Sequence, residues 1–229
     1  MFFPLEGILV LLASKAIVDL HDHLTRAWHA PQNSWEPRTI PFPTRAGQIE
    51  GSDLEKAFLA RVARQHRANF DLWHIEDEAR TPGATDAALA DVKRRIDTTN
   101  QLRNDLAEDL DHALVDWLAP QGLPNPAAVL HSESPGLMID RLSIQALKIY
   151  HTCEECERPG AAEGHSDRNR DRLNILEEQR ADLAACLDGL WRETLAGTRR
   201  FKLYRQLKMY NDPSLNPAIY RKPGQAAER

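Results

Sequence analysis

His66, Asn69, Trp73, Asp77 and Arg80 follow one another at steps of three or four residues, in line with Leu59, Val62 and Phe70. That spacing marks one core-facing face of an α-helix. An ordinary core helix would carry leucine, isoleucine or alanine at the polar positions. A buried polar group left bare costs roughly 2–7 kcal/mol, so the track either closes into a satisfied network or serves chemistry. The chemistry on offer is proton transfer. Imidazole titrates near neutral pH, which makes His66 or His74 a candidate general acid/base, oriented by Glu76 or Asp77. Asn69 and Arg80 would contact the substrate.

Two other stretches carry polar residues on apolar tracks. Thr99 and Arg103 interrupt a seam running from Leu89 to Trp117, beside a polar ridge of Lys93, Asp97, Asn100, Asn104, Glu108 and Asp111. Arg180 interrupts a seam of Leu173, Leu176, Leu183, Leu187 and Leu190. Guanidinium does not deprotonate, so a seam arginine needs a carboxylate or a bound anion. Asp77, Asp97 and Asp140 are the candidate internal partners. Two readings follow. One is a buried ion-pair network that only fixes helix register. In the other, Asp97, Asn100, Asn104 and Asp140 bind substrate hydroxyls, while Arg103, Arg180, Arg205 and Lys208 grip a phosphate or carboxylate. Tyr204 and Trp73 would form an apolar wall.

The metal signals are weaker. Asp71-x-x-His74 and Asp109-x-x-His112 approximate the Glu-x-x-His pairs of di-iron bundles, but both carboxylates lie off the apolar stripes of their helices. A different set, His66 with His74, Glu76 or Asp77 and with Asp97 or Glu108, would suit a single divalent ion such as Mg²⁺. No cofactor is predicted beyond that option. Cys153-x-x-Cys156, flanked by His151 and His165, has zinc-compatible spacing, although Cys153 fits the apolar face of its helix as a core cysteine. There is no Gly-rich phosphate loop, no Gly-x-Ser-x-Gly elbow and no nucleic-acid motif.

The elements that must position these residues are helical. The apolar periodicity predicts helices over Ser14–His29, from the capping box Ser52-x-x-Glu55 to about residue 79, over Asp86–Leu118, over 137–155 and over 167–196. A short basic helix or loop follows over about 200–210. Irregular connections occupy residues 30–51, with four prolines, and 119–135; Thr81-Pro82-Gly83 and residues 157–166 are turns. With 229 residues, 42% of them hydrophobic, the chain can bury a core as one all-α domain, a bundle of five long helices. Residues 1–13 read as an extension.

The net charge of −5 conceals a cationic tail. Between Arg199 and Lys222 seven basic residues face a single acid, Asp212. Such a tail docks on the acidic body or takes an anionic ligand. Binding to nucleic acid is disfavoured, because the acidic body would repel a phosphate backbone. The longest apolar run, residues 8–13, is too short to span a membrane and lacks the basic residues that precede a secretory signal. Three cysteines do not make a disulfide framework. A reduced, cytoplasmic protein is expected.

His66-x-x-Asn69-Phe70-x-Leu72-Trp73-His74-x-Glu76-Asp77-x-Ala79-Arg80 resembles the hallmark segment of a bacterial family, domain of unknown function 4254. The blocks Lys93-Arg94-x-Ile96-Asp97-x-x-Asn100-Gln101-x-Arg103-Asn104-Asp105 and Ile139-Asp140-Arg141-Leu142-Ser143-Ile144, with Lys148 and His151, resemble it too. So do Glu178-Gln179-Arg180-x-Asp182-Leu183 and Lys202-x-Tyr204-Arg205-Gln206-x-Lys208-Met209-Tyr210-Asn211-Asp212-Pro213. The resemblance runs in order over residues 17–220. It implies a bacterial, cytoplasmic protein of a surface-polysaccharide pathway, and it assigns no activity.

Two functions are therefore expected of the chain. In the first it is an enzyme, or a substrate-binding subunit, acting on an anionic sugar or nucleotide-linked metabolite. In the second it is a non-catalytic accessory protein of a glycosyltransferase or assembly complex, its polar blocks a buried scaffold. Partners are then an anionic small molecule, a second copy of the chain, or a glycosyltransferase.

Overall fold

A computed structural model of the chain describes residues 13–30, 53–205 and 214–216. Five helices account for most of them: α1 (Ser14–His29), α2 (Asp53–Glu78), α3 (Asp86–Leu118), α4 (Pro135–Glu157) and α5 (His165–Leu195). The all-α bundle expected from periodicity is observed. The expected bounds of α1 and α3 match to the residue, and those of the other helices to within about two. The extension over 1–13 (save Ala13), the Ser52 cap, the proline segment 31–43, residues 206–213 and Lys208 lie outside the described residues.

One apolar cluster draws on every helix. It joins Ile17 of α1 with Phe58, Leu59 and Val62 of α2, Leu110, Leu114 and Leu118 of α3, Met138, Ile139 and Leu142 of α4, and Leu187, Leu190 and Trp191 of α5. Burial is uneven along α3. Its buried residues are concentrated from Leu106 to Leu118, whereas the half before it buries only Val92.

Polar groups set the helix ends. The Thr85 hydroxyl caps α3 by accepting from the Ala88 amide at 3.2 Å. At the start of α4, Ser134 donates to Asp111 of α3 at 2.5 Å and the Gly136 amide donates to the same carboxylate at 2.7 Å. An anion at a helix N-terminus complements the exposed amides and the helix dipole. Gly136 is needed there because a Cβ would overlap the Ala107 carbonyl oxygen. Asp111, expected on a polar ridge, is therefore a buried fastener between α3 and α4.

A glycine closes the C-terminus of α5. Gly197 adopts φ 71°. Its amide donates to the Thr194 carbonyl and that of Thr198 to the Glu193 carbonyl, both at 3.0 Å, the bond pattern of a Schellman motif. The chain then leaves the helix as strand β2 (Arg199–Arg200), which pairs in parallel with β1 (Val129–Leu130). Of the helix or loop expected from residue 200, residues 200–205 take the non-helical form. Backbone pairing with β1 and burial of Phe201 (3% exposed) override local helix propensity. Arg199 pairs with Glu193 at 2.7 Å, and Arg200 donates to the Ala128 carbonyl at 2.9 Å. The tail thus begins by docking on the body. No helix among the described residues is long and apolar enough to cross a membrane.

Candidate functional site

The polar stripe of α2 divides into a closed half and an open half. His66 is fully buried. One ring nitrogen, Nε2, meets the Thr25 hydroxyl of α1 at 2.9 Å, and the other, Nδ1, meets the Ser143 hydroxyl of α4 at 2.7 Å. Both nitrogens are engaged, and Trp28 stacks on the ring with centroids 5.2 Å apart. Burial pushes the imidazole pKa down to about 3, against a smaller opposing contribution from His21. His66 is therefore a neutral structural group with no face toward solvent, and the acid/base role expected of it does not fit its surroundings.

The network continues through Asn69, whose amide donates at 2.9 Å to both Ser143 and Asp140. Gln65 donates to Asp140 at 2.5 Å. From α3, Arg103 meets Asp140 with Nε at 2.8 Å and Nη2 at 2.5 Å, a two-bond fork. The carboxylate holds the guanidinium pKa above its usual value. Asp140 is the internal partner of a seam arginine, as expected, but of Arg103 and not of Arg180. Asn100 sits at the fork's outer edge, 3.4 Å from Arg103 Nη1.

Past Asn69 the stripe opens. Leu72, Trp73, Glu76, Asp77 and Arg80 of α2, Arg103 of α3, and Ile144 and Leu147 of α4 line a cleft of about 420 Å³. Leu72, Ile144, Leu147 and the Trp73 indole give it an apolar wall. Two guanidinium and two carboxylate groups line it as well, with Arg80 and Glu76 paired at 3.2 Å. Asn69 and Arg103 belong to both the network and the cleft, so the network fixes the cleft's inner end.

The remaining expected residues are scattered. Asp97 pairs with Lys93 one turn away. Asn104 is half-buried on the same helix. Arg180 binds Asp22 of α1 through Nη1 at 2.8 and 3.0 Å. The pair sits in a second cleft with Arg26, Glu154, Glu157 and Glu177, where its anion is the protein's own carboxylate. Tyr204 and Arg205 lie exposed after β2, in a segment without regular secondary structure. Cys153 and Cys186 are exposed and Cys156 is half-buried, so Cys153 is not the core cysteine its place on the helix suggested.

The metal-compatible groups also regroup. His66 has no nitrogen left for an ion. Among the described residues, one His/Cys/Asp/Glu group has converging ligand atoms: His29, His74 and His151, all within 4.8 Å of one another. It joins the end of α1 to α2 and α4. Burial lowers the pKa of His29, against the hydrogen bond to the Thr25 carbonyl, and that of His74, and repulsion from neighbouring rings adds to both shifts. His151 stacks on Trp73, a residue that also lines the cleft, with centroids 4.8 Å apart and planes at 9°. His29, at the last turn of its helix, reads in sequence as an ordinary terminal cation. The three histidines are too far apart in sequence to form a motif.

Fold and site together define an all-α protein whose described residues form five helices, with a polar core, an open cleft at one end of that core and a histidine cluster beside it. Residues 59–203 match the family described as "Protein of unknown function (DUF4254)", and the chain belongs to that family. The match spans α2 to β2, narrower than residues 17–220, and leaves α1 outside. No curated protein matches the chain, and no solved structure does.

Proposed function

We propose that the cleft between α2, α3 and α4 binds a small anionic sugar or nucleotide-linked metabolite, and that the chain acts on that ligand as an enzyme or presents it as a binding subunit. The observation that carries this reading is the cleft's make-up: the Trp73 indole and three aliphatic side chains line it together with Arg80, Arg103, Glu76 and Asp77. Apolar walls with a few convergent polar groups are the usual form of a small-molecule site. Arg103 is held by Asp140 and so enters the cleft already oriented, which lowers the ordering cost of binding. Arg80, exposed at the rim and paired with Glu76, is placed to exchange that partner for a ligand anion. Proton transfer in this cleft falls to Glu76 and Asp77, since His66 is sealed.

The test is a thermal-shift screen of the whole protein against nucleotide sugars, sugar phosphates and nucleotides, each with and without Mg²⁺. A ligand at a hundred times its Kd adds about 2.7 kcal/mol of stability. A hit lost in Arg80→Ala and kept in Arg180→Ala supports the cleft. A hit kept in Arg80→Ala and lost in Arg180→Ala moves the site to the second cleft. The competing reading, a non-catalytic accessory of a glycosyltransferase or assembly complex, draws on the closure of the His66 network. A flat screen on folded protein favours it.

A further inference from the structure

His29, His74 and His151 come from three helices and meet at one point, and two of them already hold the geometry of metal ligands. The His29 ring donates from Nδ1 to the Thr25 carbonyl at 2.7 Å; because a carbonyl only accepts, the proton sits on Nδ1 and the lone pair on Nε2. The His151 Nδ1 meets the Glu154 carboxylate at 2.9 Å, which likewise fixes its proton on Nδ1. The Nε2 atoms of both rings are buried and have no hydrogen-bond partner. A buried imidazole nitrogen with a free lone pair is costly to leave unmatched. Metal-binding histidines characteristically donate their other N–H to a backbone carbonyl or a carboxylate, which sets tautomer and ring direction. Stacking adds to the constraint: His29 lies on Tyr150 at 4.3 Å and 18°, and His151 on Trp73.

We propose that His29, His74 and His151 bind one Zn²⁺ ion through three imidazole nitrogens, with the fourth position left to water or a ligand oxygen. Zn–N bonds of about 2.0–2.1 Å in a tetrahedral site place the nitrogens about 3.3 Å apart. The observed limit of 4.8 Å therefore closes by about 1.5 Å at most on binding, within the reach of small side-chain rotations. All-imidazole ligation with no carboxylate in the first set selects zinc or a neighbouring transition ion over Mg²⁺. Three protein ligands with an open position is the arrangement of catalytic zinc sites, where the metal acidifies its water. The site goes beyond the cleft reading and does not depend on it.

The experiment is a Zn²⁺ titration of the full chain, stripped with chelator and competed against a chromophoric zinc indicator, with Co²⁺ as a second probe. One Zn²⁺ per chain is expected, with Co²⁺ giving the intense visible bands of a four-coordinate site. His29→Ala and His151→Ala are each expected to abolish binding while circular dichroism stays helical. Glu154→Gln, an exposed change that leaves the ligands in place, is expected to weaken binding about 10–100-fold. A Cys153→Ser/Cys156→Ser double variant is expected to bind as the wild type does. Folded wild type that binds no stoichiometric Zn²⁺ overturns the proposal. So does binding that survives in His29→Ala, or that is lost in the cysteine variant.

Discussion

Below about pH 6.5 the unfolded chain protonates His66, whereas the folded chain refuses that proton until about pH 3. The unfolded state then binds more protons, so this group makes stability fall as pH drops through that window, by about 1.4 kcal/mol per pH unit. His21, buried and likewise pushed down by desolvation, adds to the same slope. Asp111 works the other way. Burial raises its carboxyl pKa to about 6, against the Ser134 and Gly136 hydrogen bonds. Between about pH 4 and 6 the folded state therefore holds a proton that the unfolded state has released, and this part of the stability is lost as pH rises through about 6. Urea unfolding at pH 4.5, 5.5 and 6.5 separates the two. Asp111→Asn is expected to steepen the loss of stability toward acid, and His66→Gln to flatten it; unchanged slopes in both variants would refute the account. His66→Ala also removes two hydrogen bonds and leaves a void, and is expected to cost about 3–5 kcal/mol. At this scale the sequence was partly legible. Periodicity placed His66, Asn69 and Arg103 on inward faces. It could not say that His66 meets two hydroxyls, nor that Arg103 takes Asp140 and Arg180 takes Asp22. Those choices depend on the rotation of one helix against another, which a single stripe does not encode.

Helix boundaries were legible because they are local: Thr85 caps α3, and Ser134 with Pro135 starts α4. Helix or loop stays open in the sequence over 200–205 because a local signal meets a distant one there: the partner of β2 lies some seventy residues earlier in the chain. The join between α3 and α4 gives an element-scale test. Gly136→Ala would force the helices apart at Ala107, and overpacking of this kind costs about 1–3 kcal/mol. Thermal unfolding is expected to show a lowered Tm for Gly136→Ala, while Gly83→Ala, at a turn with nothing near its Cβ, costs only the backbone strain of its positive φ. Equal losses at the two positions would argue that α3 and α4 are not in close contact there.

Across the whole molecule, charge alone left open whether the basic tail docks or binds an anion. Its first residues dock: Arg199 and Arg200 have partners on the body, and Phe201 enters the core. Phe201→Ala is expected to cost about 3–5 kcal/mol, measurable by denaturant midpoint, whereas Tyr204→Ala, at an exposed position, stays close to wild type. The helical architecture was legible in full; the cleft and the histidine cluster were not, because each is assembled from three helices that are distant in sequence. The uneven burial of α3 also divides that helix in time. Amides from Leu106 onward are shielded by the core and should exchange with deuterium only through global opening, while those before Arg103 should exchange through local fraying in a fraction of that time. Arg103 stands at the boundary. A ligand gripping it would extend the slow-exchanging stretch outward by a turn or more, leaving an isotopic record of occupancy on a helix whose shape need not change.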